Sequence, residues 1–385
     1  MKIGVPKEIL EGERRVAAIP ETVAKYKKLG CSVVIEKNAG AGALISDESY
    51  EQAGAIVEPD TRRLFEEADL ILKVKEPVVN IRLNQHEADL IRQGGALITF
   101  LHPAAPGNHE MIEKLRSRGI TSFTMDGIPR ISRAQRMDAL TSMSTLTGYK
   151  AVLMAASDLP VIMPLVGTAI GPLKPARVLV VGAGVVGLQA IATAKRLGAT
   201  VTAIDIRAQA REAASSLGAT VAGFEVPAEF AENENGYARK LPRDWMTREQ
   251  EVLFPAVQNA DAVILSALVP GEVAPRLITS GMVESMGPGS VIVDVAIDQG
   301  GNCELTVPGS RHVAHGVTIL GTKNIPGSLP VNASWLYANN LYYFVENLLK
   351  SGTPFNLSDE IASGALVTTR GRIVHEGTLG AMAAN

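Results

Sequence analysis

The stretch from Val178 to Asp205, VLVVGAGVVGLQAIATAKRLGATVTAID, constrains this chain more than any other. A Val-rich run (Val178 to Val181) meets Gly182-Ala183-Gly184-Val185-Val186-Gly187, and an uninterrupted helical pattern then ends near Gly198. A second apolar run, Val201 to Ile204, terminates on Asp205. Strand, glycine turn, helix and strand carrying an acid is the order of a dinucleotide-binding unit. Gly182 permits the tight turn, Gly184 lets the backbone approach a pyrophosphate, and Gly187 lets the helix pack closely on the strand. The helix N-terminus offers free N–H groups and about half a positive charge to phosphates. Asp205, 18 residues past Gly187, sits where a carboxylate accepts both hydroxyls of an adenosine ribose. A 2′-phosphate would meet like charge there, which favours NAD(H) over NADP(H); Arg207 nearby softens that preference. The plain alternative is an α/β turn that packs without a ligand.

With 385 residues the chain exceeds one ordinary domain and suits two or three. Hydrophobic residues at 46 % and charged residues at 20 % describe a soluble globular protein with ample core material. A net charge of −3 supplies no basic field for nucleic acid or anionic lipid. Two cysteines, Cys31 and Cys303, make neither a disulfide framework nor a metal-ligand spacing, and fit a reducing cytoplasm. The start, MKIGVPKEIL, has no apolar signal region and reads as a first strand. Val178 to Ala194 is uncharged, but its glycines belong to the nucleotide turn. Leu159 to Leu173 is also uncharged, but Pro160, Pro164 and Pro172 break it as a helix. No transmembrane segment is expected, so a role at a membrane would need other chains.

The expected fold is α/β, with two Rossmann-like doubly wound parallel-sheet domains and a cleft between them. Strands are expected at KIGVP, Ser32 to Lys37, Asp69 to Lys75, Ala96 to Leu101 and Ile120 to Met125, with a helix over Pro20 to Leu29. A long helix over Ala134 to Ala156 leads into the second domain, whose further strands are Ala262 to Leu265, Val291 to Val295 and Val317 to Leu320. Phe230 to Arg248 is polar, with no strand pattern. It reads as a mobile loop, or more plainly as a solvated helix and loop. Ala333 to Lys350 reads as an amphipathic helix returning to the first domain, and Val367 to His375 as a hairpin turning at Arg370-Gly371. The expected division is therefore residues 1–140 with 330–385 in one domain, and 141–329 in the nucleotide-binding domain.

Ligands of open parallel sheets lie beyond the carboxyl ends of the strands. Four polar residues are expected there: Arg15, Lys75, His102 and Asp298. Arg15 can hold a carboxylate bidentately, Lys75 can polarise a carbonyl or imine oxygen, His102 can exchange a proton, and Asp298 can orient a polar partner. Each also has a dull explanation: surface charge for the first two, a satisfied rim histidine, and a helix cap. A second polar cluster, IPRISRAQRMDALTS (Ile128 to Ser142), precedes the interdomain helix. Arg130 and Asp138 can pair there and the Gln135 amide can reach a nicotinamide carboxamide. A salt-bridged helix start explains the same composition.

The chain closely resembles the NAD(H)-binding component of the proton-translocating NAD(P)+ transhydrogenases, a family related to alanine dehydrogenases. The resemblance runs through GVPKEILEGERRVA, PRISRAQRMDALTSM, GYKAV, the glycine turn, DIR at Asp205 to Arg207, GYARK at Gly236 to Lys240, LVPGEVAP, GSVIVDVA, GGNCELTVPG and ASWLYANNL. It implies that Arg130, Gln135 and Asp138 position the nicotinamide. Gly182, Ala183, Gly184, Val185 and Gly187 would hold the pyrophosphate, and Asp205, Ile206 and Arg207 the adenosine ribose. Gly236 and Tyr237 would lie in a mobile loop that closes over the nucleotide, and Leu268 in a strand-end loop beside it. The resemblance also implies a homodimer that works with a membrane-spanning subunit and an NADP(H)-binding component. That would place the chain in the cytoplasm, held peripherally at the inner membrane through its partners. Arg15, Lys75, His102 and Asp298 look like the alanine dehydrogenase catalytic set, which transhydrogenases often lose in part; all four remain here. Thr168 to Pro175 is a loose version of the family's linker.

The leading expectation is thus a subunit that binds NAD(H) and presents its nicotinamide to NADP(H) on a partner. Direct hydride transfer needs positioning and no general base. The alternative is a self-sufficient alanine dehydrogenase-like enzyme acting on a small 2-oxo or amino acid, which would need His102 and Lys75. A redox sensor that binds NAD(H) without turnover ranks third.

Overall fold

The computed structural model describes residues 1–223, 225–233, 238–269, 272–350 and 355–383. The chain divides into two compact units, Met1–Met143 with Gly327–Asn385, and Ser144–Pro326.

Among the described residues, the first unit is built on an eight-stranded sheet. Its order is Arg372–Ile373, Leu366–Thr369, Thr121–Thr124, Ala96–Thr99, Leu70–Leu72, Lys2–Val5, Ser32–Glu36, Ile56–Glu58. The strands from Thr121–Thr124 to Ile56–Glu58 pair in parallel. Leu70–Leu72 and Ala96–Thr99 are buried at every residue, as parallel strands covered on both faces must be. Phe65, Ile71, Leu97, Ile112 and Leu115 pack together on one side of this sheet. The C-terminal hairpin closes the sheet antiparallel to Thr121–Thr124, turning at Arg370 and Gly371, both of positive φ. The helix Pro20–Lys28 carries Pro20 in its first turn, Glu21 beside it and Lys25, Lys27 and Lys28 in its last turn, an order that matches the helix dipole.

The second unit carries, among the described residues, a seven-stranded sheet. Its order is Thr220–Val221, Thr200–Ile204, Arg177–Val181, Ala262–Leu265, Val291–Asp294, Val317–Leu320, Arg311–Ala314. All pairs are parallel except the last, where Arg311–Ala314 runs antiparallel on the edge. The chain leaves Arg177–Val181 in one direction for Thr200–Ile204 and later returns to its other side at Ala262–Leu265. The glycine turn therefore lies at the switch point of the sheet, where ligands of such folds bind.

One stretch differs from its sequence reading, and two others gain detail. The helix expected over Ala134 to Ala156 is broken: a 3₁₀ segment Ser132–Met137 precedes an α-helix Ala139–Asp158. The break is Asp138, whose carboxylate accepts the Thr141 N–H at 2.8 Å and the Thr141 hydroxyl at 2.6 Å, capping the α-helix. In the polar stretch 230–248, Arg243 opens a 16-residue helix, Arg243–Gln258, in keeping with the plainer helix-and-loop reading. The proline-broken stretch from Leu159 to Leu173 ends in a small antiparallel hairpin, Val166–Thr168 with Gly171–Leu173.

Candidate functional site

The nucleotide turn is built as the spacing requires. Gly182 follows the Arg177–Val181 strand with φ of +88°, and its N–H donates to the Ile204 carbonyl at 2.8 Å. A Cβ on Gly182 would lie 2.8 Å from the Ala267 nitrogen, and one on Gly187 only 1.9 Å from the Gly182 oxygen. Those two glycines are thus demanded by packing. Gly184 is different: its φ is an ordinary −76°, and a Cβ there would meet only the Arg207 guanidinium, 3.9 Å away. Space over its backbone is open beside the N-terminus of the helix Val185–Arg196, which has no side-chain cap. Open room over first-turn N–H groups that lack helical partners is a cradle for an anionic group. Gly148 lets the Ala139–Asp158 helix come up against this turn, since a Cβ on it would strike the Val186 oxygen at 2.2 Å.

Asp205 ends the neighbouring strand and is buried. One carboxylate oxygen accepts the Arg207 N–H (2.8 Å) and Nε (3.1 Å); the other accepts the Ala183 N–H (2.7 Å) and an Arg207 terminal nitrogen (2.9 Å). Arg207 is therefore laid against the acid that would receive the ribose. Burial lowers the Arg207 pKa, but the Asp205 hydrogen bond and charge outweigh it and the net is upward. Ile206 is half-buried and, like Phe230, Trp245 and Met246, packs against the cluster of Val226, Ala231 and Leu241.

Sequence reasoning missed what holds the loop that carries Leu268. Asn302, within GGNCELT, accepts the Ala267 N–H at 3.0 Å and donates to the Ala267 and Pro275 carbonyls at 2.8 and 2.9 Å. The buried carboxylate of Asp294 accepts the Asn302 and Cys303 N–H groups. Gly301 is required beside it, because a Cβ would lie 2.7 Å from an Asp294 oxygen. The Ser266 hydroxyl donates to the Gly182 carbonyl at 2.8 Å, tying this loop to the glycine turn. Leu268 itself is half-buried. Gly236 and Tyr237 lie outside the described residues.

In the first unit, Lys75, His102 and Asp126 follow the carboxyl ends of adjacent strands. His102 takes a positive φ of 45°, which is strained for a non-glycine residue. Asp126 holds it there: its carboxylate accepts the His102 N–H at 3.0 Å and lies 3.1 Å from the ring Nδ1. Burial alone would lower the imidazole pKa; the Asp126 hydrogen bond and charge reverse this and raise it. Phe100 stacks on the ring at 5.9 Å. The Lys75 carbonyl accepts the Thr99 hydroxyl at 2.9 Å. The Arg15 guanidinium is buried and bound to both oxygens of Glu13, at 2.8 Å from Nε and 2.6 Å from a terminal nitrogen. Below Lys75, a wholly buried Lys73 sits between Glu8 (3.3 Å) and Glu87 (3.0 Å), while those two carboxylates accept the Val74 and Val78 N–H groups. This cluster fixes the strand end from which Lys75 projects, and no sequence signal announced it. Arg130 and Gln135 are exposed, while Asp138 is engaged in capping. Asp298 belongs to the second unit, exposed after the Val291–Asp294 strand, where it accepts the Asn324 N–H at 3.4 Å.

The family description alanine dehydrogenase/PNT, N-terminal domain, matches residues 4–147, and alanine dehydrogenase/PNT, C-terminal domain, matches residues 151–376. An NAD(P) transhydrogenase subunit alpha segment of Rhodospirillum rubrum is 42 % identical over 384 residues, 99 % of each chain. The crystal structure of a transhydrogenase from Sinorhizobium meliloti matches with a TM-score of 0.83 at 38 % identity, over 98 % of this chain and 99 % of that one. An L-alanine dehydrogenase structure also reaches 0.83, at 31 % identity, over 100 % of this chain and 99 % of that one.

Proposed function

The chain belongs to the alanine dehydrogenase/PNT family, and we infer that within it this chain is the NAD(H)-binding alpha subunit of a proton-translocating NAD(P)+ transhydrogenase. Full-length identity of 42 % to a transhydrogenase subunit alpha, against 31 % and 34 % to alanine dehydrogenases, supports that branch. The observation that carries the reading is the open backbone at Gly184, beside an uncapped helix N-terminus and the Asp205 carboxylate. A pyrophosphate fits that cradle, and Asp205 is assigned to the adenosine ribose. When bound, NAD(H) supplies the hydride, which passes between its nicotinamide and that of NADP(H) on a partner component. The chain's own role is to bind and orient. Arg130, Gln135 and Asp138 are assigned to the nicotinamide end, with Asp138 also fixing the start of the Ala139–Asp158 helix. No residue has to act as a base at the reacting carbon.

No helix among the described residues is long and apolar enough to cross a membrane, so proton passage is assigned to membrane partners, at whose inner-membrane surface this cytoplasmic chain would sit. A homodimer is supported by the hairpin Val166–Thr168 with Gly171–Leu173, where Ile170 is 100 % exposed beside exposed Leu165, Val166 and Leu173. A lone two-stranded hairpin presenting so much apolar surface calls for a covering chain, and a second copy is assigned that role.

One observation favours the alanine dehydrogenase-like alternative: the strained His102–Asp126 pair, which retains the form of an acid–base dyad. Purified chain should bind NADH in calorimetry and exchange hydride only when an NADP(H)-binding partner is added. His102→Ala should leave that exchange in place. Unaided reduction of NAD+ with L-alanine, abolished by His102→Ala, would overturn the transhydrogenase reading in favour of the alternative.

A further inference from the structure

The helix Arg243–Gln258 buries a stripe of Glu249, Leu253 and Val257. Leu253 and Val257 pack on Leu179, Val181 and Ile204 of the sheet, as an amphipathic helix should. This helix leads directly back into the parallel strand Ala262–Leu265, so its N-terminal half lies toward the carboxyl ends of the strands. One turn N-terminal to Leu253, an apolar stripe therefore receives a carboxylic acid at the nucleotide edge of the sheet. Glu249 is 6 % exposed, and among the described residues it has no hydrogen bond and no ion pair.

Its electrostatic neighbour is Asp205. Arg207 is turned onto Asp205, and Arg211 donates to the Asp205 and Ile206 carbonyls. On its own helix Arg243, Asp244, Arg248 and Glu251 face solvent, and Glu284 of the adjoining helix Ser280–Ser285 is exposed. The Asp205–Arg207 pair carries no net charge, so Asp205 by itself is a poor barrier to a 2′-phosphate. Glu232 acts on Arg207 as well, and Glu249 on the helix Arg243–Gln258 adds a further carboxyl to the field at Asp205.

We propose that Glu249 is a specificity-determining residue of the nucleotide site, a second acid that rejects a 2′-phosphorylated adenosine ribose. The assignment rests on NAD(H) binding at the glycine turn. Burial first, and the Asp205 charge second, push the Glu249 pKa up to about 7. The rejection is therefore weak at pH 6, where the carboxyl is neutral, and strong at pH 8.5.

The test titrates NADH and NADPH into the full chain and into Glu249→Gln and Glu249→Leu, at pH 6 and 8.5, with folding checked by thermal scan. In the parent, the ratio of the NADPH to the NADH dissociation constant should rise roughly fivefold or more between the two pH values. In both variants that rise should shrink, and at pH 8.5 NADPH should gain roughly tenfold on NADH. An unchanged ratio in folded variants overturns the role of Glu249. Failure of the parent to bind NADH at either pH overturns instead the reading on which it rests.

Discussion

Gly184→Ala separates the fold from the ligand in one substitution. Gly184 has φ −76° and ψ −162°, which alanine adopts without strain, and the new methyl would have nothing nearer than the Arg207 guanidinium at 3.9 Å. Two small effects on stability oppose each other. Alanine restricts the unfolded chain, worth about 0.4–1 kcal/mol in favour of folding. It is a poorer helix N-cap than glycine by a similar amount, about 0.5–1 kcal/mol. The melting temperature should therefore stay within about 3 °C of the parent, at roughly 2–4 °C per kcal/mol for a unit of this size. Binding is another matter, because the methyl stands where the proposed pyrophosphate would approach the backbone. Loss of two charge-assisted hydrogen bonds, at about 1.5–3 kcal/mol each, weakens NADH by about 3–6 kcal/mol, or roughly 10²- to 10⁴-fold. Differential scanning fluorimetry with calorimetric NADH titration reads both quantities on one preparation. A variant that melts like the parent and binds NADH within threefold of it would show that no phosphate lies over Gly184.

Gly187→Ala should do the reverse: its Cβ would stand 1.9 Å from the backbone oxygen of Gly182, which has no flexible end to yield. The expected cost is about 3 kcal/mol or more, read as a lower urea midpoint, and an unaltered midpoint would contradict the close packing. The Glu249 carboxyl titrates near 7 in the fold against 4.5 when unfolded, so the folded chain holds its proton more tightly. Stability from this group is complete below about pH 4.5 and is lost as pH rises to 7, by on the order of 3 kcal/mol. Chemical denaturation of the parent and Glu249→Leu at pH 5 and 8 should show a larger loss in the parent, since other groups such as His102 contribute equally to both; equal losses in both would refute the burial argument. If the proposed homodimer forms through the hairpin, the parent should sediment as a dimer at micromolar concentration and Ile170→Ser with Leu173→Ser should shift it toward monomer; a monomeric parent would refute the dimer, and an unchanged dimer would remove the hairpin from the interface.

Much of the chemistry was legible because it is local. The glycine turn, the Val-rich strand before it and the acid after the next strand each have their signal in contiguous residues, since positive φ at Gly182 and close helix packing at Gly187 exclude a Cβ regardless of context. The apolar strand Leu70–Leu72 and the Val291–Val293 run that opens Val291–Asp294 were equally readable. Asp138 was only half legible: its polarity is plain in the sequence, but helical periodicity conceals that its carboxylate caps a new helix. The edge strands Ile56–Glu58 and Arg311–Ala314 escaped because an edge has one bonded side and tolerates polar residues.

The amino-acid order by itself determined two α/β halves and a dinucleotide turn, because strand and helix periods and backbone restrictions act over a few residues. Only the tertiary structure decided that Asn302 and Asp294 clamp the Leu268 loop, that Lys73 is held between Glu8 and Glu87, and that Glu249 is buried in the stripe of Leu253 and Val257. Those pairings join groups far apart along the chain. Their charges and hydrogen bonds take on meaning where folding removes water, and residue spacing carries no record of that.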